Sequence, residues 1–189
     1  MLAAGIAARF GSNKLLHRLD DGRTVAETSA AHLLDAVPSS YAIIRPGDDV
    51  LEALLLNTGI QVISCPLAGR GMGNSLASGV AASAEADAWV IALADMPFIR
   101  PATIRCVVEA LDTGAAIVAP YHAGRRGHPV AFGRESYKEL VNMQLDVGAR
   151  RLVERHAEKV YRVDVNDPGI LLDIDTPADL DRSLLLIPV

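Results

Sequence analysis

Short apolar runs alternate with longer segments of helical spacing along most of this chain. Residues 41–45, 62–65, 89–94 and 116–119 are nearly unbroken apolar stretches of strand length. Continuous apolar runs, rather than alternating ones, are expected where helices cover both faces of a strand. Between them, helices are predicted over 25–36, 49–57, 75–84, 101–111 and 177–186. Thr24 with Glu27 three residues on makes a capping box. Pro101 and Pro177 stand in first turns, where no N–H is needed, and Thr176 is the expected N-cap of the last helix. Asp21-Gly22 predicts a hairpin within 15–25. Gly124-Arg125-Arg126-Gly127 predicts a second ribbon within 118–132. A helix over 147–156 and a strand over 160–165 complete the pattern. Strands separated by helices imply an α/β fold.

Composition narrows the class. The 189 residues suit one domain, 1–189, with a sizeable core. Half of them are hydrophobic, yet no apolar run approaches the roughly 20 residues that span a bilayer. No basic segment followed by an apolar one opens the chain, so the expected localisation is cytoplasmic, without membrane contact. A net charge of −5 argues against a nucleic-acid surface. Cys65 and Cys106 are far apart, which reads as reduced structural thiols rather than zinc ligands. No G-x-S-x-G elbow or other nucleophile motif appears.

An acidic protein that binds a polyanion needs local cations or a metal. The opening from Leu2 to Leu15 offers both small residues and cations. Gly5, Gly11 and the alanines allow close backbone approach to an anion, while Arg9 and Lys14 supply charge and donors. The spacing is not that of a Walker A loop. Asp95 ends an apolar strand and precedes Met96-Pro97. A carboxylate there suits Mg²⁺ at the carboxyl edge of a sheet, or makes a turn before proline. In Asp173-Ile174-Asp175 alternate residues share a face, so both carboxylates can point one way. Asp175 can also cap the following helix. Residues 69–75 form a glycine-rich loop entering a helix, either against a flat ring or as a capped surface loop. His128, in Gly127-His128-Pro129, reads equally as an acceptor contact or as a structural histidine.

Taken in order, these motifs resemble the MobA-like nucleotidyltransferases, most closely the molybdenum cofactor cytidylyltransferase branch. The family opening L-A-A-G-x-x-x-R-M-G-x-x-K is matched with Phe10 in place of methionine. The resemblance implies a Rossmann-like three-layer nucleotidyltransferase fold with a mostly parallel sheet. It implies nucleotide contacts from Leu2, Ala3, Ala4, Gly5, Arg9, Lys14, Gly71, Met72 and Ser75. Arg9, Lys14 and Asp95 would be catalytic, with Mg²⁺ on Asp95 and Asp175 and with Asp173 nearby. His128 and Arg150, with Arg151, would face the acceptor. The expected reaction moves a nucleoside monophosphate from an NTP, expected to be CTP, to a phosphorylated acceptor, expected to be molybdopterin-bound molybdenum, and releases pyrophosphate. A molybdoenzyme or cofactor-insertion chaperone would be the protein partner.

Two departures stand out. The family's G-D-x-G-A-R pattern reads Leu145-Asp146-Val147-Gly148-Ala149-Arg150, so that loop is expected to differ in shape. Only Met1 and Leu2 precede the phosphate loop, where the family has a buried strand, so the expectation is either a curtailed first strand or a start downstream of the natural one. These features favour a rival reading, a non-catalytic nucleotide or pterin carrier. Retention of Arg9, Lys14, Asp95 and Asp175 opposes it. A sugar phosphate or other small phosphorylated acceptor is the alternative within the enzyme class.

Overall fold

The structure is a computed structural model that describes residues 1–5, 10, 13–143 and 148–180. Helix α1 (Val25–Ala36) leads to β1 (Tyr41–Ile44), α2 (Asp49–Asn57), β2 (Gln61–Ser64), α3 (Met72–Ala82), β3 (Ala88–Ile91) and α4 (Pro101–Asp112). Then follow β4 (Ile117–His122), β5 (Arg125–Arg126), β6 (Val130–Gly133), α5 (Tyr137–Val141), α6 (Ala149–Arg155) and β7 (Val160–Asp164). β1 and β2 pair in parallel, and β3, β6, β4 and β7 form a second ladder. Leu2 bridges the two ladders, lying parallel to both Ile43 and Leu93. Its amide donates to Ala92 O at 2.8 Å, and Ala3 N donates to Ile43 O at 2.9 Å. The opening residues thus stand as a central strand between β1 and β3. Every strand runs in one direction except β6 and the short β5, which gives the expected mostly parallel α/β sheet.

Alternation along the central strands builds the three layers. Ala42 and Ile44 of β1 pack with Val25, Ala30, Leu51 and Leu55 of α1 and α2. Ile117 and Ala119 of β4 pack on the opposite face with Leu76, Val80, Leu140 and Leu152 of α3, α5 and α6. Val118, between them, packs with Val107 and Ala110 of α4. β2 departs from the both-faces expectation. It is the sheet edge, half exposed along its length, because no strand lies beyond it to carry another covering layer.

The local signals hold where they are strongest. Thr24 Oγ1 accepts from Glu27 N at 3.2 Å, and Glu27 Oε2 accepts from Thr24 N at 2.7 Å. The arginine ribbon is a hairpin turning at Ala123 and Gly124, both at positive φ, the geometry that matches strand twist. The 15–25 hairpin shrinks to one antiparallel bridge, Arg18 to Thr24. Residues Lys14–Leu16 instead close a 3₁₀ turn, since Asn13 Oδ1 accepts from Leu15 N at 3.2 Å. Helix α3 starts three residues earlier than predicted, directly after Gly71. That glycine has φ of 129°, which suits glycine alone. At residues 177–180, Asp179 Oδ2 takes Thr176 N at 2.7 Å and Thr176 Oγ1 at 2.8 Å. The threonine hydroxyl therefore donates to Asp179 instead of capping by itself.

Candidate active site

The carboxyl ends of the strands converge on Lys14. This lysine is 8% exposed. Its Nζ donates to Asp95 Oδ2 at 2.7 Å and to Asp175 Oδ1 at 2.8 Å. Burial opposes the ammonium charge. The bonds from Asp175 and Asp95, and the charges behind them, outweigh that penalty and raise its pKa. Three separate segments therefore meet at one atom. The opening loop brings Lys14, the end of β3 brings Asp95, and the stretch before residue 177 brings Asp175.

The two acidic segments are also tied through the backbone. Ile174 N donates to Asp95 O at 2.9 Å, and Ile174 is fully buried. Burying the middle residue turns Asp173 and Asp175 outward together, as the alternation predicts. Asp175 reaches Lys14, whereas Asp173 is exposed.

A cleft of about 410 Å³ opens beside Lys14. Residues 2–5 wall one side, residues 68–72 and Ser75 the other, with Leu93 and Asp95 at the base. The cleft gathers Leu2, Ala3, Ala4, Gly5, Lys14, Gly71, Met72, Ser75 and Asp95 from the predicted nucleotide set. Arg9 lies outside the described residues. Among the described residues no side chain caps α3; Asn74 N donates to Gly71 O at 3.2 Å, which leaves the amides of Met72 and Gly73 as the first-turn donors at the cleft wall. A larger apolar cleft, about 860 Å³, lies at the opposite ends of β1 and β3. It holds neither carboxylate pair nor lysine, so size does not select the site here.

The acceptor-side expectations divide. His128 is half-buried; its main-chain N–H donates to Ile170 O at 3.0 Å. Its Nδ1 is buried and has no hydrogen-bond partner among the described residues. Burial lowers the imidazole pKa, Asp95 and Asp173 pull it up, and Arg126 pushes it down. The net lowering keeps the ring neutral near pH 7. Arg150, on α6, is 83% exposed and pairs with Glu154 at 2.8 Å. It does not line the cleft. The start of α6 does abut it, because a Cβ on Gly148 would sit 3.4 Å from Met72 Sδ. Leu145, Asp146 and Val147 lie outside the described residues. Asp167 escaped the sequence reading: Asn166-Asp167-Pro168-Gly169 reads as an exposed turn, yet Asp167 is only 2% exposed.

Among the described residues, no group of three or more His, Cys, Asp or Glu side chains forms a metal site. Two carboxylates on one cation suit a hard ion that takes its remaining ligands from phosphate oxygens and water.

Comparisons with known proteins agree with this geometry. Residues 1–160 match the MobA-like NTP transferase domain. The chain is 25% identical over 180 residues to the molybdenum cofactor cytidylyltransferase of Escherichia coli (strain K12), covering 94% of this chain and 90% of that protein. It is 26% identical over 177 residues to a phosphoenolpyruvate guanylyltransferase of Sphaerobacter thermophilus, covering 90% and 84%. Among solved structures, Rv0371c from Mycobacterium tuberculosis H37Rv superposes with a TM-score of 0.81 at 27% identity, covering 97% of this chain and 95% of that one. A complex of Rv0371C with manganese gives 0.76 at 26% identity, covering 98% and 96%. A domain match over most of the chain, joined to a cleft that gathers the opening residues, the 68–75 segment, Lys14 and Asp95, places this protein in the MobA-like NTP transferase family, as a nucleotidyltransferase.

Proposed function

We propose that the protein transfers CMP from CTP to a phosphorylated acceptor, molybdopterin-bound molybdenum, with release of pyrophosphate. The observation that carries this reading is the meeting of Lys14, Asp95 and Asp175 at the base of the cleft formed by residues 2–5 and 68–75. Ala4, Gly5 and the start of α3 would supply backbone donors for phosphate and base, the amides of Leu2 and Ala3 being held in the sheet. Lys14, together with Arg9, supplies positive charge for the triphosphate.

Asp95 and Asp175 would hold Mg²⁺. The donor set fits, since both are hard carboxylate oxygens already directed at one cationic centre, the Lys14 ammonium. When bound, the ion supplies charge neutralisation at the reacting phosphate. The acceptor needs little help as a nucleophile. A phosphate monoester has its second pKa at about 6, so it is largely ionised at neutral pH. Positioning and electrostatic stabilisation then carry the reaction, and no protein nucleophile or general base is required. On the acceptor side, His128 would contribute a hydrogen-bonding ring without adding charge. Arg150 and Arg151, which stand outside the cleft, would meet only a part of the acceptor that projects from it.

CTP is favoured by the Ala-Ala-Gly opening and the Gly-Met-Gly-Asn-Ser-Leu loop, as in the cytidylyl branch. A second acceptor class, a small phosphorylated acid, is favoured by the 26% identity to a phosphoenolpyruvate guanylyltransferase. Incubation with each NTP and each acceptor, with pyrophosphate and product mass measured, tests both. A cytidylylated molybdopterin product is expected. Consumption of no NTP with any acceptor would leave the carrier reading in its place.

A further inference from the structure

Asp167 is a buried carboxylate that the proposed chemistry does not use. It is 2% exposed and follows β7. Its Oδ2 accepts from Arg100 N at 3.0 Å and Thr103 Oγ1 at 2.6 Å; its Oδ1 accepts from Gly169 N at 3.0 Å. Arg100 and Thr103 open helix α4, whose own N-cap residue, Arg100, makes no side-chain capping bond and instead donates from its guanidinium to Asn166 O at 3.2 Å. Asp167 therefore caps α4 from 64 to 67 residues away. The helix dipole and three donors stabilise its charge in place of a salt bridge.

The chain from Asp167 to Asp175 is a strap laid across the segment that follows Asp95. Gly169 packs on Phe98, where an added Cβ would stand 2.0 Å from the Phe98 carbonyl oxygen. Ile170 O accepts from His128 N at 3.0 Å, and Ile174 N donates to Asp95 O at 2.9 Å. Ile170 and Ile174 are fully buried. Asp167 is the side-chain tie at one end of this strap; Asp175, bound to Lys14, is at the other.

We infer that Asp167 is a positioning residue for the transfer reaction: it pins the strap to the first turn of α4 and so sets where Asp175 stands relative to Asp95. This rests on the reading of Asp95 and Asp175 as the paired carboxylates of the site. Groups that orient ligand-bearing segments commonly cost 10–100-fold in metal affinity or activity when changed.

The test uses Mn²⁺ binding to the purified protein, with kcat and KM for CTP measured separately. Asp167→Asn keeps the shape but replaces one acceptor oxygen by a donor. Weakening of Mn²⁺ affinity and of kcat by about tenfold each is expected, with KM for CTP within about twofold of wild type. Thr103→Val is the milder variant, removing one of three donors, and is expected to shift Mn²⁺ affinity by about threefold in the same direction. Thr24→Ala removes the cap of α1, lowers the melting temperature, and is expected to leave Mn²⁺ affinity and kcat unchanged. Wild-type Mn²⁺ affinity and kcat in folded Asp167→Asn or Thr103→Val would overturn the positioning role while leaving the carboxylate pair standing. Wild-type Mn²⁺ affinity in Asp95→Asn would overturn the carboxylate reading itself, and the role of Asp167 with it.

Discussion

Asp95 and Asp175 hold the same ammonium but reach it by different routes. Asp95 follows β3 directly, and its main chain is fixed from both sides. Leu2 pairs beside it through Ala94 N, and Ile174 N bonds its carbonyl. Asp175 stands at the end of a strap held by Asp167, Gly169 and two buried isoleucines, and its own amide donates to Asp179 Oδ2 at 3.1 Å. The Asp175 side chain is 34% exposed against 22% for Asp95. A site can thus combine one carboxylate delivered by the sheet and one delivered by a long-range clamp. The first is robust because its geometry comes from strand pairing. The second depends on side-chain and packing contacts made outside strand pairing.

That contrast can be broken most directly at the carboxylates. Asp95→Asn is expected to lower turnover by about 10²–10³, the usual cost of one preorganised electrostatic contact. Asp175→Asn is expected to cost less, about tenfold, because water replaces more of its interaction at the greater exposure. Pyrophosphate release at saturating CTP measures both. Equal losses would mean that sheet and strap ligands are interchangeable.

Lys14→Met removes the group that both routes share. CTP affinity is expected to fall by about tenfold or more, read by isothermal titration. The pH dependence of stability sharpens the point. The pKa of Lys14 is raised above its ordinary 10.5 in the folded protein. Its pairing therefore stabilises fully below the unfolded value and is lost as pH rises through the folded one. The melting temperature of the wild type should drop over that alkaline range by an amount absent from Lys14→Met. Parallel curves for the two proteins would show that the pairs contribute nothing to stability.

The wall formed by residues 69–72 is more exposed than the Lys14 centre. CTP is expected to outcompete GTP by about tenfold at equal concentration, the cost of one unpaired buried polar group. Guanylylated product in excess would reverse the base assignment. The smallest effect is expected at Met72, which is 50% exposed on the cleft wall. Met72→Ala should change stability by less than about 0.5 kcal/mol while raising KM for CTP a few-fold. An unchanged KM would place the base away from this wall.

Legibility followed the range of the forces involved. The Thr24–Glu27 cap, the proline starts and the arginine hairpin are local chemistry, settled within a few residues, and they appear where the chain predicts them. Boundaries failed where a distant or competing partner decided them. Asn13 turned the start of the predicted 15–25 hairpin into a 3₁₀ turn; the last helix still begins at residue 177 after Thr176, although the threonine hydroxyl donates to Asp179. Motif order was enough to name most of the cleft wall, since glycine-rich loops and a carboxylate after an apolar strand have few other uses together. It could not find Asp167, because an Asp-Pro-Gly triplet reads as a solvent turn until α4 is seen to cover it.

By itself, then, the sequence determined the α/β class, the helix caps, and the residue types able to bind phosphate and a hard cation. Periodicity and capping are properties of neighbouring residues. Only the tertiary structure decided that Lys14, Asp95 and Asp175 share one point, that Arg150 stays in solvent, and that a buried carboxylate 64 residues from its helix clamps the strap. Those outcomes depend on strand order and on which faces become buried. Both emerge when segments far apart in the chain remove their apolar surface from water together.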